Sequence, residues 1–196
     1  MSEPYNNLLD LTVSRHSCRK FSDKPVSDDD INRILEVAKH SPFASGRSNW
    51  KIAVIKDRSM LESLERAVSE SSSELAASMD PEAASFFLRY SSSFTFFSKA
   101  GALLVPYCRK TETMKSMLRD NITPEIAEWE HDNITKSLSC ISMLILLAAE
   151  SLDLGACYMT GPLVAGAKLN AALGLRENII IGAFIPVGHK AEGDAD

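Results

Sequence analysis

The spacing of apolar residues along the first 42 residues predicts two helices separated by a polar turn. Residues 4–14 carry three leucines on the apolar side of a short helix. A second helix follows Ser27, which is a good N-cap, and Asp30 completes a start that resembles a capping box. Apolar residues then recur at helical spacing until Pro42 ends the pattern. Both helices are therefore predicted to be amphipathic.

The rest of the chain alternates between strand-like and helix-like patterns. Strands are predicted where β-branched or consecutive apolar residues dominate, at 50–56, 101–108 and 177–190. The last of these is apolar enough to be buried on both faces. Helices are predicted to begin at Asp57, at Asp80 and at Thr123, and a further helix is predicted over 163–175 with Gly174 as its stop. The pattern predicts one α+β domain over residues 1–196, a small sheet covered by helices.

The most apolar run, residues 138–149, is predicted to be a deeply buried helix. It is about 12 residues long, whereas a bilayer-spanning helix needs about 20. As a helix it would be apolar on every side, which is typical of a core element. The N-terminus has no secretory signal pattern. We therefore expect a cytoplasmic protein without a membrane span, with reduced thiols at Cys18, Cys108, Cys140 and Cys157.

The charge of the chain disfavours nucleic acid as a partner, but one segment is basic. The net charge is −5 and the pI is about 5.4, whereas nucleic-acid binders are usually basic. Arg15, His16, Ser17 and Arg19 nevertheless fall within five residues. Guanidinium groups and a hydroxyl suit a phosphate, because charge-assisted hydrogen bonds are strong and directional. The alternative is a solvated basic turn that pairs with the acidic residues 28–30, and this cluster alone favours neither.

No common catalytic or metal motif is present in the sequence. It contains no GxGxxG after a strand, no P-loop, no HExxH and no GxSxG. Glu130, His131 and Asp132 are adjacent, but neighbouring helical residues point about 100° apart and cannot face one ion. We therefore predict no metal centre.

Four segments, taken in order, resemble the nitroreductase family of FMN-dependent oxidoreductases over nearly the whole chain. They are the basic cluster 15–19, the loop 41–50, the small residues 154–157 after the long apolar helix, and the turn 185–189. The resemblance implies a nitroreductase-like α/β sandwich with a small, mostly antiparallel sheet. It also implies an interlocked homodimer with FMN at the subunit interface.

The resemblance further implies which residues bind FMN. The phosphate and ribityl chain would be held by Arg15, His16, Ser17 and Arg19. The loop would add Ser45, Gly46 and Ser48, although the family has Asn at position 46 and Gln at position 48. The flavin ring would lie against Tyr158, Met159, Thr160 and Gly161, with a backbone N–H directed at it. The C-terminal turn would add Gly188, His189 and Lys190, whereas most relatives continue for tens of residues and supply another cation.

The implied chemistry is a ping-pong reaction. NADH or NADPH would deliver hydride to flavin N5, and a small acceptor such as a nitroaromatic or a quinone would then take the electrons. No single residue is predicted to be the catalyst, because the cofactor carries the chemistry. Reductive dehalogenation, flavin breakdown and a non-catalytic flavin-binding protein are the alternatives. The Phe-rich segment 86–97 is either a cover for the site or plain core.

Overall fold

The computed structural model describes residues 2–44, 49–110 and 112–192. This part of the chain contains seven α-helices and five strands. The helices are α1 Glu3–Ser14, α2 Asp28–Ala38, α3 Arg58–Ala76, α4 Pro81–Ser91, α5 Thr113–Leu118, α6 Pro124–Ser151 and α7 Ala167–Ala172. The strands are β1 Trp50–Ile55, β2 Ala102–Arg109, β3 Gly155–Ala156, β4 Ile179–Ile181 and β5 Ile185–Gly188.

The strands form one antiparallel sheet around β2, in the order β1-β2-β5-β3, with β4 beside the other end of β2. Trp50 of β1 lies opposite Cys108, and Ala102 at the start of β2 lies opposite Val187 of β5. Val187 in turn lies opposite Ala156 of β3. The predicted α+β class with a mostly antiparallel sheet is confirmed.

The sheet is covered on both faces, which explains the unbroken apolar sequence of its central strand. Ala102, Leu104 and Cys108 of β2 pack on the side of α2 and α6. Leu103 and Val105 pack on the other side, with α3 and Phe97. A strand that is buried on both faces needs apolar residues at successive positions instead of alternate ones. The result is a three-layer sandwich of helices, sheet and helices.

The single strand predicted over 177–190 is wrong, because a β-bulge divides it into β4 and β5. Ile181 lies opposite Tyr107, whereas Ile185 lies opposite Leu104, so three residues of one strand face two of β2. At the bulge the Gly182 N–H donates to the Pro106 carbonyl at 2.8 Å. A side chain at position 182 would meet α6, since its Cβ would lie 2.7 Å from Leu138 Cβ.

The continuous helix predicted over 163–175 is also wrong. A 3₁₀ turn covers Gly161–Ala165, and Gly166 then takes φ of +47°, so that α7 begins only at Ala167. Positive φ is a conformation that glycine adopts without steric cost, and it interrupts a right-handed helix. The predicted stop at Gly174 is present, with φ of +64°.

The predicted helix starts are confirmed by their caps. The Ser27 hydroxyl accepts from the Asp30 N–H at 3.0 Å. Asp57 accepts from the Met60 N–H at 2.8 Å, and Asp80 accepts from the N–H groups of residues 82 and 83. Each cap satisfies N–H groups that have no partner within the helix.

The apolar helix α6 is less enclosed than its sequence predicts. Its residues from Ile134 to Ala149 bury one broad side, but Cys140 is exposed and Met143 is 50% exposed on the other. By length and composition α6 could cross a bilayer, and half of its apolar window is buried inside this protein. One side of α6 is therefore left without cover in a single chain.

Candidate functional site

The basic cluster lies along the edge of the sheet, beside β3. Ser17 forms a parallel bridge with Ala156, and the Cys18 N–H donates to the Ala156 carbonyl at 3.0 Å. Arg15, His16 and Ser17 are half-buried, while Arg19 is exposed. The cluster is therefore a fixed extension of the sheet, with one guanidinium partly enclosed and the other in solvent.

The C-terminal turn meets the same segment. The Ser22 N–H donates to the His189 carbonyl at 2.9 Å, and the Ala191 N–H donates to the Lys20 carbonyl at 3.1 Å. Gly188 lies opposite Gly155 where β5 pairs with β3. The structure therefore brings together two predicted parts of the site, 15–19 and 188–190, which are about 170 residues apart in sequence.

The alternative role of the cluster, a turn paired with residues 28–30, is not what the structure shows. Asp28 is bonded to Lys56 at 2.7 Å, Asp29 to Arg33 at 2.9 Å, and Asp30 accepts from the Ser27 hydroxyl. The hydrogen bond from Lys56, and then its charge, hold the pKa of Asp28 below its usual value. These carboxylates are occupied by other partners.

Two side chains of the cluster contact backbone carbonyls of nearby residues. Arg19 Nη1 donates to the Ser17 carbonyl at 3.3 Å, and His16 Nδ1 lies 3.2 Å from the Ser14 carbonyl. His16 Nε2 is enclosed and has no hydrogen-bond partner among the described residues. An enclosed ring nitrogen of this kind is costly unless a ligand satisfies it.

Lys190 forms an ion pair with Glu150. Its ammonium lies 3.2 Å from both carboxylate oxygens of Glu150, which is only 10% exposed, and 4.0 Å from Asp153. This pair could not be predicted from the sequence, because Glu150 belongs to the end of α6, 40 residues earlier. Lys190 therefore joins the C-terminal turn to α6.

The segment 158–161 begins two residues after Ala156, the residue of β3 that pairs with Ser17 of the basic cluster. Met159 exchanges both backbone hydrogen bonds with Phe184, each at 2.9 Å, and its side chain is buried. Because backbone groups alternate in direction along an extended segment, the N–H groups of Tyr158 and Thr160 face away from Phe184. Tyr158 and Thr160 are exposed, and the Tyr158 hydroxyl lies 3.3 Å from Ser139 Oγ of α6.

The predicted loop residues Ser45, Gly46 and Ser48 lie outside the described residues, but the residues beside the loop locate its ends. The Ala44 N–H donates to Ser137 Oγ at 3.0 Å. Ser137 is thirteen residues before Glu150 on α6, about 20 Å at 1.5 Å per residue. On the sheet, Trp50 lies opposite Cys108, six residues and again about 20 Å from Ala102. Both measures separate the loop ends from the basic cluster of the same chain.

Gly155 is required by the close approach of the basic segment to β3. A Cβ at this position would lie 2.7 Å from Cys18 Cβ, closer still to its Sγ, and 3.1 Å from Lys190 Cγ. Inserting atoms into a filled site typically costs about 1–3 kcal/mol. We therefore expect Gly155→Ala to lower the melting temperature by roughly 2–10 °C, measured by calorimetry.

A second variant tests the stated cause of that loss. Cys18→Ala removes the atom that a Cβ on residue 155 would strike first. In the Cys18→Ala background, Gly155→Ala should lower the melting temperature by clearly less than it does in the parent protein. An equal loss in both backgrounds would show that the Cys18 contact is not the cause.

The cysteines form no disulfide. Cys18, Cys108 and Cys157 are buried, whereas Cys140 is exposed. Burial raises the pKa of the Cys108 thiol to about 11, which leaves it unreactive at neutral pH. The reaction of Cys140 with a thiol reagent can therefore be used to measure how accessible the uncovered side of α6 is.

The chain is similar over most of its length to proteins of one family. Residues 12–189 match the sequence profile of the Nitroreductase family. A provisionally named NADH dehydrogenase/NAD(P)H nitroreductase of Archaeoglobus fulgidus is 26% identical, over 94% of this chain and 86% of that protein.

Solved structures share the fold. A BluB-like flavoprotein from Clostridium difficile 630 is 25% identical with a TM-score of 0.82, over 95% of this chain and 91% of that one. Oxidized iodotyrosine deiodinase bound to FMN and 3-iodo-L-tyrosine is 19% identical with a TM-score of 0.69, over 94% and 90% of the two chains. At that identity the second likeness concerns the fold alone.

Proposed function

The chain belongs to the nitroreductase family, and from this we propose that it is an FMN-dependent oxidoreductase that uses NADH or NADPH to reduce a small acceptor. The acceptor class is a nitroaromatic, a quinone or a similar molecule. The observation that carries the proposal is the meeting of three segments at β3, namely 15–19, 158–161 and 188–190. The cationic segment 15–19 lies next to the segment 158–161, two of whose backbone N–H groups are turned outward. FMN requires this arrangement, because its phosphate and its flavin ring belong to one molecule.

The basic cluster fits the phosphate of FMN. Two guanidinium groups and the Ser17 hydroxyl offer the hydrogen-bond donors that a phosphate requires, and the carboxylates of Asp28 and Asp29 are paired with Lys56 and Arg33. The unsatisfied His16 Nε2 adds a polar atom that a ligand oxygen would satisfy. In this proposal Arg15 and Arg19 bind the phosphate. Lys190 acts indirectly, holding the C-terminal turn against α6 through Glu150.

The segment 158–161 fits the ring end of the cofactor. When bound, FMN accepts hydride at N5 and passes electrons on to the acceptor. The chain's part is to bind the ring, hold it in place and donate a hydrogen bond to it. Met159 is fixed in the sheet by Phe184, so the N–H groups of its neighbours Tyr158 and Thr160 are the ones turned outward. We assign the donor to this pair, with Gly161 beside them.

We also propose that the protein is a homodimer whose two chains share the FMN site. The helix α1 has no buried residue in the single chain. One side of it is nevertheless apolar, and the side chains there are 43–77% exposed: Tyr5, Leu8, Leu9 and Val13. A helix of this length is marginal unless an apolar face is packed. The helix α6, which also has an uncovered side, contacts α1. A second copy of the chain would cover both.

The positions of Ala44 and Trp50 also support a shared site. Ala44 contacts Ser137, about 20 Å along α6 from Glu150, and Trp50 lies opposite Cys108, about 20 Å along β2 from Ala102. If the loop 45–48 contacts the flavin, as the family resemblance implies, the partner chain is better placed to supply it. Cysteines that form no disulfide fit a reducing compartment, and we therefore propose that the dimer is cytoplasmic.

A ping-pong reaction makes a kinetic prediction. NAD(P)⁺ leaves before the acceptor binds, so the two substrates use the same surface in turn. Initial rates measured over a grid of NADH and menadione concentrations should give parallel lines in double-reciprocal plots. Intersecting lines would mean that both substrates are bound together, which contradicts a single shared surface.

Reductive dehalogenation is the second candidate. Its support is the shared fold with the deiodinase that binds 3-iodo-L-tyrosine. The two functions are separated by supplying the FMN-loaded protein either with dithionite and 3-iodotyrosine or with NADH and menadione. Release of iodide that exceeds a flavin-only control would favour the dehalogenase.

A further inference from the structure

Three aromatic residues of the Phe-rich segment form a row that leads from solvent to the predicted flavin segment. Phe86, Tyr90 and Phe94 are spaced by four residues, which places the first two on the same side of α4. Their exposed fractions are 66%, 59% and 8%. We call these three residues the aromatic row. Within the segment, Phe94 and Phe97 are buried in the core, whereas Phe86 and Tyr90 are exposed.

The inner end of the row touches Gly161. A Cβ on Gly161 would lie 2.8 Å from Phe94 Cγ and closer to two other ring carbons, so the Phe94 ring fills the place of a side chain there. The Tyr90 ring stands edge-on to Phe94, with 5.0 Å between ring centroids and 83° between planes. Tyr90 is therefore one ring away from the segment that would hold the flavin.

The outer end of the row is an aromatic surface without cover. Two large aromatic side chains in the same exposed row are typical of a binding surface, because they offer area at a small cost in conformational entropy. Leu88, also exposed, lies between them in sequence but on the opposite side of α4, about 200° around the helix from Phe86. Only one side of the helix leads to Gly161.

We propose that Phe86 and Tyr90 bind the planar ring of the acceptor, on the solvent side of residues 158–161. This inference rests on the proposed function, and it names an aromatic acceptor surface that belongs to α4. An aromatic wall selects planar ring systems by face and edge contacts, whereas it offers little to a compact ion. Phe94 holds Tyr90 in place by its ring contact and does not itself reach solvent.

The first test measures binding without turnover. The FMN-loaded parent, Phe86→Ala, Tyr90→Ala and the matched control Leu88→Ala are titrated with 2-naphthoate, a planar ligand that flavin does not reduce, by calorimetry. Loss of an aromatic contact should weaken binding by about five- to tenfold for Tyr90→Ala and about threefold for Phe86→Ala. Leu88→Ala should stay within about twofold of the parent, and Tyr90→Phe should restore most of the loss.

The second test uses two acceptors on the same variants. Tyr90→Ala should raise KM for menadione by a similar factor and leave KM for ferricyanide within about twofold, because ferricyanide has no aromatic face. Equal effects of Tyr90→Ala and Leu88→Ala, or equal effects on both acceptors, would overturn the proposal. Dissociation of the Tyr90→Ala dimer would overturn it too, since the row would then be a subunit contact. If the parent binds FMN but NADH does not bleach it, the proposed function fails instead.

Discussion

The variant Arg15→Ala/Arg19→Ala is expected to purify colourless and to bind FMN at least about a hundredfold more weakly than the parent protein. Hydrogen bonds to charged groups contribute about 1.5–3 kcal/mol each, and 1.4 kcal/mol corresponds to a factor of ten in affinity. Lys190 cannot replace the lost cations, because Glu150 holds its ammonium at 3.2 Å. Affinity is measured by quenching of FMN fluorescence on titration with apoprotein.

The control for this prediction is Lys20→Ala/Lys24→Ala. It removes the same formal charge from the same segment, at two exposed residues outside the proposed phosphate site. This control should bind FMN within a few-fold of the parent, the residual effect being long-range electrostatics that salt screens. Equal weakening by both double variants would mean that only the net charge of the segment matters. Unchanged binding by the arginine variant would contradict the assignment of the phosphate.

The variant Leu8→Glu/Val13→Glu is expected to be a monomer that does not retain FMN. These side chains are 55% and 77% exposed in the single chain, so the substitution removes no intrachain packing of consequence. In the proposed dimer they are covered, and burying a carboxylate there without a partner is strongly unfavourable. Molar mass is measured by sedimentation equilibrium, and bound flavin by absorbance at the same time.

Cys140 gives an independent measurement of the same interface. It is exposed on the side of α6 that the partner would cover. A thiol reagent should label it slowly in the parent and rapidly in Leu8→Glu/Val13→Glu. The matched control, Leu75→Glu/Leu88→Glu, carries two charges at exposed apolar positions on α3 and α4. It should remain dimeric and flavin-bound. A parent protein that is monomeric and yet yellow would contradict the shared site.

The parts of the fold that depend on local sequence could be predicted well. Helix starts follow from one side chain and the N–H groups within three residues, so Ser27, Asp57 and Asp80 could be identified from the sequence. The apolar strand at 102–109 was equally clear, because burial on both faces imposes a continuous pattern.

The errors lie where tertiary contacts override that local pattern. The bulge at 182–184 depends on the Pro106 carbonyl and on the close approach of Leu138, neither of which is near in sequence. Gly166 interrupts the helix that the surrounding residues predict, because the chain turns there with positive φ. The open side of α6 could not be seen either, since an apolar pattern does not say whether the cover comes from the same chain.

The candidate site was predictable as a set of segments but not as a geometry. The order of the segments indicated the family, and the structure brings 15–19, 158–161 and 188–190 together at β3. The pairing of Lys190 with Glu150 and the contact of Phe94 with Gly161 link residues 40 and 67 positions apart. Such contacts carry no sequence signature, because they depend on how separate elements pack.

The central claim is that this chain binds FMN in a form that NAD(P)H reduces. The most direct measurement is the visible spectrum of the FMN-loaded protein before and after one equivalent of NADH, taken without oxygen. The absorbance near 450 nm should be lost within seconds and should return on adding menadione. A protein that takes up no FMN at excess cofactor, or an FMN-loaded protein whose absorbance NADH and NADPH both leave unchanged, would contradict it.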